Sequence, residues 1–89
     1  MRGKTGWLWD EWNTDHIAQH DVEPFEAEGV GDHPRYVERW RDRYLAWGPT
    51  IEGRFLLVVY VRRKEGRYVI SARDIEEGEK KRLRRLTGR

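Results

Sequence analysis

Apolar residues run without interruption over any length only once in the chain, from Phe55 to Val61, with Arg54 and Arg62 on either side. A run this short, rich in valine and aromatic residues, predicts a central strand covered on both faces. Lys64-Glu65-Gly66 then predicts a tight turn, and Arg67 to Arg73 is expected to return as the antiparallel partner. Upstream, Tyr36 to Trp47 alternates. Arg41, Arg43, Leu45 and Trp47 fall on one face and Asp42, Tyr44 and Ala46 on the other, so the segment reads as a strand or a bent pair of strands. Gly48 to Gly53 reads as a loop.

The flanking segments have a different pattern. Gly6 to Trp12 is aromatic and too short for a packed helix, and reads as a brief edge strand running up to Trp12. Asn13 is expected to cap a two-turn helix over residues 14–20, ended by Asp21. Pro24 suits the first position of a second short helix, Phe25 to Glu28, closed by Gly29, Gly31 and Pro34. Asp74 followed by Glu77 predicts a capping box for a last helix whose buried stripe is Ile75, Leu83 and Leu86. Gly78 weakens that helix by about 1 kcal/mol. The elements describe an α+β fold: an antiparallel sheet of about four strands, two short N-terminal helices and one C-terminal helix. At 89 residues one domain spanning 1–89 is expected.

Charge changes this picture from a fold to a ligand class. Residues 1–34 carry two basic and eight acidic side chains, and residues 35–89 carry sixteen and eight, so a net +2 conceals halves of −6 and +8. A basic excess on most of a small domain attracts polyanions, foremost the phosphates of nucleic acid. Fourteen of the eighteen basic residues are Arg, which grips phosphate oxygens in pairs and stacks on bases. A solvated surface with uneven charge would show the same counts. The absence of cysteine excludes disulfides and thiol nucleophiles. With neither a membrane-length apolar run nor a signal-peptide core, a cytoplasmic protein is expected.

The strand ends carry the candidate chemistry. A two-residue period places Arg54 with Arg62 on one face, and Arg67 with Arg73 on one face, so two arginine pairs are expected to flank one sheet surface. Such a cluster can hold a phosphodiester and stabilise charge developing on its oxygens, or it can simply solubilise a sheet edge. His16 and His20 share a helix face and suit general acid–base work. No glutamate lies between them and no third ligand has metal-site spacing, so neither metal nor cofactor is expected.

Trp12-Asn13, His16-Ile17-Ala18-Gln19-His20-Asp21-Val22, Gly53-Arg54 before an apolar strand, and Ile70-Ser71-Ala72-Arg73 with Glu79-Lys80-Lys81 together resemble the BrnT toxins over nearly the whole chain. The resemblance implies a RelE-like fold and a ribonuclease toxin restrained by a BrnA-like antitoxin. Carried across by position, it implies catalytic roles for His20, Arg54, Arg73 and Glu79. Arg43, Arg62, Arg67 and Lys81 are candidates for nucleic-acid binding. Two positions depart from the family: Leu83 stands where a tyrosine is frequent, and Asp21 where glycine is usual.

The reading that follows is an endoribonuclease that blocks translation, cutting RNA through attack of a 2′-hydroxyl on the adjacent phosphodiester. His20 or Glu79 would take the proton, while Arg54 and Arg73, helped by Arg43, would stabilise the phosphorane-like state. The alternatives are a non-catalytic RNA-binding module that uses the basic sheet and its aromatics, and a domain whose basic face docks an acidic protein. The expected partners are RNA and the antitoxin, with no membrane; the oligomeric state is not legible.

Overall fold

The computed structural model describes residues 6–88. Strand β1 (Trp7–Leu8) leads into helices α1 (Glu11–Ala18) and α2 (Pro24–Asp32), then β2 (Tyr36–Trp40), β3 (Arg43–Pro49), β4 (Phe55–Arg63), β5 (Gly66–Asp74) and helix α3 (Glu77–Leu86). The strands form one sheet in the order β1-β5-β4-β3-β2. β4 is the central strand, as its apolar run predicts. The sheet has five strands, not about four, and it is mixed: the alternating segment folds as the separate strands β2 and β3, and β1 pairs parallel to β5. The hinge between β2 and β3 is Arg41, whose positive φ of 58° closes the turn.

Each face of β4 feeds a different core. Leu56, Val58 and Tyr60 join Trp7, Ile17, Val22, Ala27, Val30, Ala46, Val69 and Ala72 beneath α1 and α2. Leu57 joins Trp47, Ile75 and Leu83 beneath α3, with Phe55 and Val59 packed at the margin. Truncating Ile17 or Leu56, both fully buried, would cost about 2–5 kcal/mol each.

The helix boundaries depart from their local signals: α1 starts earlier, α2 runs longer and α3 starts later. α1 is capped by Asp10, and Asn13 is the third residue of its capping box: the Asp10 side chain accepts from the Asn13 amide at 3.0 Å and the Asn13 side chain accepts from the Asp10 amide at 2.8 Å. Trp12 is therefore helical, and the edge strand stops at Leu8. Asn13 is buried because its amide also donates to the Leu8 and Val69 carbonyls, tying α1 to β1 and β5. α2 continues through Gly29 and Gly31 to Asp32. Gly31 does not break it; a side chain there would collide with the Trp7 ring, so this glycine lets α2 lie against β1. α3 is capped by Glu76 with Glu79, two residues beyond the Asp74–Glu77 pair, because Asp74 stays in β5 with its carboxylate engaged elsewhere. Leu83 is buried on α3, whereas Leu86 is 43% exposed and lies outside the stripe.

An irregularity in the β4–β5 ladder decides where the arginines go. Val59 pairs with Ser71 but Tyr60 with Val69, which leaves Ile70 as the extra residue of a bulge. Val69 and Ala72, three apart, consequently enter the same core. Arg67 lies on that face, 3.8 Å above the Trp7 ring, while Arg73 stands opposite Leu57 on the other. The expectation that Arg67 and Arg73 share a face fails at the bulge, which reverses the alternation between them.

Candidate functional site

At the end of the sheet where β5 stops and β4 begins, Asp74 joins residues distant in sequence. Its carboxylate accepts from Arg54 Nε at 2.7 Å and Nη2 at 3.0 Å, and its carbonyl accepts from Arg73 Nη1 at 3.0 Å. Arg54 also donates through Nη1 to the Asp21 carbonyl at 2.6 Å and to Glu26 at 3.3 Å, and through Nη2 to the His20 carbonyl at 2.9 Å. A guanidinium has five N–H donors, and these five bonds use all of them. Arg54 is therefore a clamp: it joins β5, α2 and the turn after α1, and it fixes the backbone of His20 and Asp21. Asp21 has a positive φ of 58° in this turn, a conformation that Asp tolerates.

Arg73 is held from the opposite face. Its Nη1 and Nη2 donate to the two Glu79 oxygens at 3.0 and 2.9 Å, a bidentate fork aimed by α3. Among the described residues its Nε–H and one Nη2–H take no partner, and the side chain is 35% exposed. The guanidinium is oriented while two of its donors stay unengaged by the described residues.

The arginines hold both carboxylates in their ionised form. The hydrogen bonds from Arg73, joined by the Glu76 amide and the charge of Arg82, hold Glu79 down at about 2. The hydrogen bonds from Arg54 hold Asp74 below the usual carboxylate range, with Lys80 and His20 adding to the effect. A carboxylate of such low basicity takes a proton poorly near neutral pH. Both arginines are raised above their ordinary value by these same partners.

His20 completes the end of the sheet. It is exposed, on the turn that Arg54 grips, and its ring meets His16 edge-on at 6.3 Å. His16 in turn stacks on Trp12 at 4.8 Å with planes 7° apart. The spacing of four residues from Trp12 to His16 to His20 carries this ladder in the sequence, although only the two histidines stand out there.

The four residues with implied catalytic roles thus meet at one end of the sheet, His20 and Arg54 on the α1–α2 side and Arg73 with Glu79 on the α3 side. The other candidates lie elsewhere. Arg62 and Arg67 pair across the far end of the hairpin, and Arg43 stands opposite Val61 at that same end; Lys81 is exposed on α3. The far end also holds Arg39, Arg41 and Arg63, which the sequence did not single out as candidates. Arg39 lies 5.4 Å from the Tyr44 ring, which Arg62 approaches to 4.8 Å, Arg41 lies 4.8 Å from Trp40, and Arg63 4.0 Å from Tyr68. Among the described residues no three His, Asp or Glu side chains group to hold a metal ion, and no helix is long and apolar enough to cross a membrane.

Residues 9–79 match the family described as the ribonuclease toxin, BrnT, of type II toxin-antitoxin systems. No curated protein matches the chain.

Proposed function

Since the chain belongs to the BrnT family of ribonuclease toxins of type II toxin-antitoxin systems, we propose that it cleaves RNA at the Asp74 end of its sheet. The observation that carries this is Arg73, oriented by a bidentate carboxylate and still presenting two donors. Those donors suit the non-bridging oxygens of a scissile phosphodiester, where negative charge grows during reaction. The 2′-oxygen attacks phosphorus and the bond to the 5′-oxygen breaks, giving a 2′,3′-cyclic phosphate and a 5′-hydroxyl. His20 takes the 2′-hydroxyl proton, and water returns one to the leaving oxygen. Arg54 and Glu79 act as positioning residues, the first by fixing the turn that carries His20 and the second by aiming Arg73.

RNA reaches this end guided by the field of the far end, where Arg43, Arg62 and Arg67 lie; Lys81 adds charge from α3. The four antiparallel strands β2 to β5 with helices on both faces support a RelE-like reading, and a single sheet shared by all strands supports one domain. The family further supports a BrnA-like antitoxin as partner, an acidic segment of which would cover Arg73, and action in the cytoplasm through loss of translation.

Arg73→Lys tests the chemistry. It should keep RNA affinity within about threefold, since the charge survives, and lose about 100-fold in cleavage rate, since the fork is gone. His20→Ala should lose about as much. Wild-type rates in both variants would remove the catalytic assignment. RNA binding without cleavage by the wild-type protein would favour a non-catalytic binding module.

A further inference from the structure

A cavity of about 360 Å³ opens beside α3 at the same end of the sheet. Its apolar wall is Phe55 and Leu83, and around it stand Arg35, Lys80 and Arg84, with Glu77 the sole carboxylate among the lining residues. Glu77, Lys80, Arg84 and Thr87 follow one another at helical spacing, so one flank of α3 forms the wall. The other flank sends Glu79 to Arg73 and Arg82 to Glu38. α3 is thereby pinned on one side and open on the other.

The lining has two kinds of chemistry in one volume. Phe55 offers a ring that is only partly buried, and the Arg35 guanidinium lies 5.5 Å from its centroid. Lys80 makes one long contact of 3.6 Å with exposed Glu77, and Arg35 and Arg84 make no ion pair among the described residues. Three cations against one carboxylate suit a phosphate, and an aromatic–aliphatic wall flanked by a guanidinium suits a nucleobase. The volume lies in the range of pockets that enclose a small ligand. An acidic peptide would satisfy the cations but leave the ring and its guanidinium without a planar partner.

The cavity lies at the same end of the sheet as the proposed reaction site, and two of its lining residues follow site residues in the chain. Phe55 follows Arg54 in the chain and its carbonyl accepts from the Ile75 amide at 3.2 Å. Lys80 follows Glu79, and its charge reaches Asp74. We propose that this cavity is a nucleotide subsite, holding one base and one phosphate of the RNA next to the cleaved bond and setting the base preference of cleavage. The proposal rests on RNA being the substrate of the toxin.

The test uses the deoxy dinucleotides of A, C, G and U, which lack the attacking 2′-hydroxyl and so report binding alone. Titrated into isotopically labelled protein, at least one should perturb the amides of Phe55, Lys80, Leu83 and Arg84. Arg84→Glu should weaken that binding about tenfold, and Arg35→Met should reduce the difference in affinity between bases. Both positions are exposed, and an unchanged melting temperature would confirm that each variant folds. Perturbation confined to the far end of the hairpin, none at millimolar dinucleotide, or perturbation by an acidic peptide in its place would overturn the subsite. Cleavage of a long RNA is followed in parallel: cleavage without dinucleotide binding in the cavity sinks the subsite alone, whereas binding there without cleavage upholds the subsite and sinks the catalytic reading.

Discussion

At one end of the β4–β5 hairpin, Arg54 and Arg73 are held by Asp74, Glu26 and Glu79; at the other, Arg67 pairs with Asp32 at 2.8 Å, while Arg39, Arg41, Arg62 and Arg63 lie over aromatic rings and make no ion pair among the described residues. The ends are about 26 Å apart, taking eight residue steps along β4. The difference lies in what each arginine is for. Ion pairing fixes a guanidinium in space, which a transition state rewards, but it cancels the charge that a distant phosphate would feel. Two arginines against three carboxylates leave the Asp74 constellation without a positive excess of its own. Long-range attraction comes from the unpaired arginines, at the far end ones that aromatic rings restrict without neutralising, joined by Arg35 and Arg84 beside α3. Holding and attracting are opposed demands on one side chain, and the chain meets them with different arginines.

Removing Arg54 tests the division most severely. Its five hydrogen bonds join three elements and satisfy two carboxylates, so Arg54→Ala should destabilise the fold by about 2 kcal/mol and lower the melting temperature by about 10 °C. Arg62→Ala should shift it by no more than about 3 °C. Equal losses on thermal unfolding would show that the far-end arginines are structural as well, and the comparison would break.

The second test acts on attraction. Reversing Arg62 and Arg63 together to Glu should weaken binding to single-stranded RNA about tenfold near 0.1 M salt, and flatten the plot of log affinity against log salt by about 1.4, as expected for two lost phosphate contacts. Arg73→Lys should leave that slope unchanged. A slope that responds to position 73 and ignores positions 62 and 63 would place RNA attraction at the Asp74 end.

The strands were largely legible because their signal is local. The apolar run over β4 and the Lys64-Glu65-Gly66 turn each mark themselves within a few residues. The face assignment of Arg73 was not legible: Ile70 is an ordinary strand residue, and only pairing with β4 reveals that it is the bulged one. The capping boxes were misplaced for a related reason. Asp10, Asn13, Asp74 and Glu77 all have capping chemistry, and Asp74 is excluded only because Arg54, twenty residues earlier, takes its carboxylate. At the candidate site, the family resemblance brought His20, Arg54, Arg73 and Glu79 forward together. It could not separate the arginine whose donors are spent from the one with donors to spare, since that depends on partners from α2, β5 and α3. Arg39, Arg41 and Arg63 were missed because their neighbours across the sheet and in the turns, not their spacing, set them over rings.

The smallest expected effect concerns the Glu79 clamp, and its sign follows from the direction of the shift. Unfolded, this carboxyl titrates near its ordinary value of 4.5; folded, Arg73 holds it at about 2. Above 4.5 it is ionised in both states and its stabilisation is complete. Between 4.5 and 2 the unfolded chain binds the proton first, so stability falls as pH drops, and below about 2 the contribution is gone. The pair is partly open to water, with 35% of the Arg73 and 27% of the Glu79 side chain exposed, so screening reduces the contribution to about 1 kcal/mol. Urea unfolding of wild-type protein and Glu79→Gln from pH 5 to pH 2.5 should show the two stabilities converging as pH falls. No equivalent convergence should follow Arg62→Ala, which removes no carboxylate pair. If Glu79→Gln instead differs from wild type by a constant amount over this range, Arg73 is not held by an ionised carboxylate, and the contrast between a clamped and an unclamped end loses its electrostatic basis.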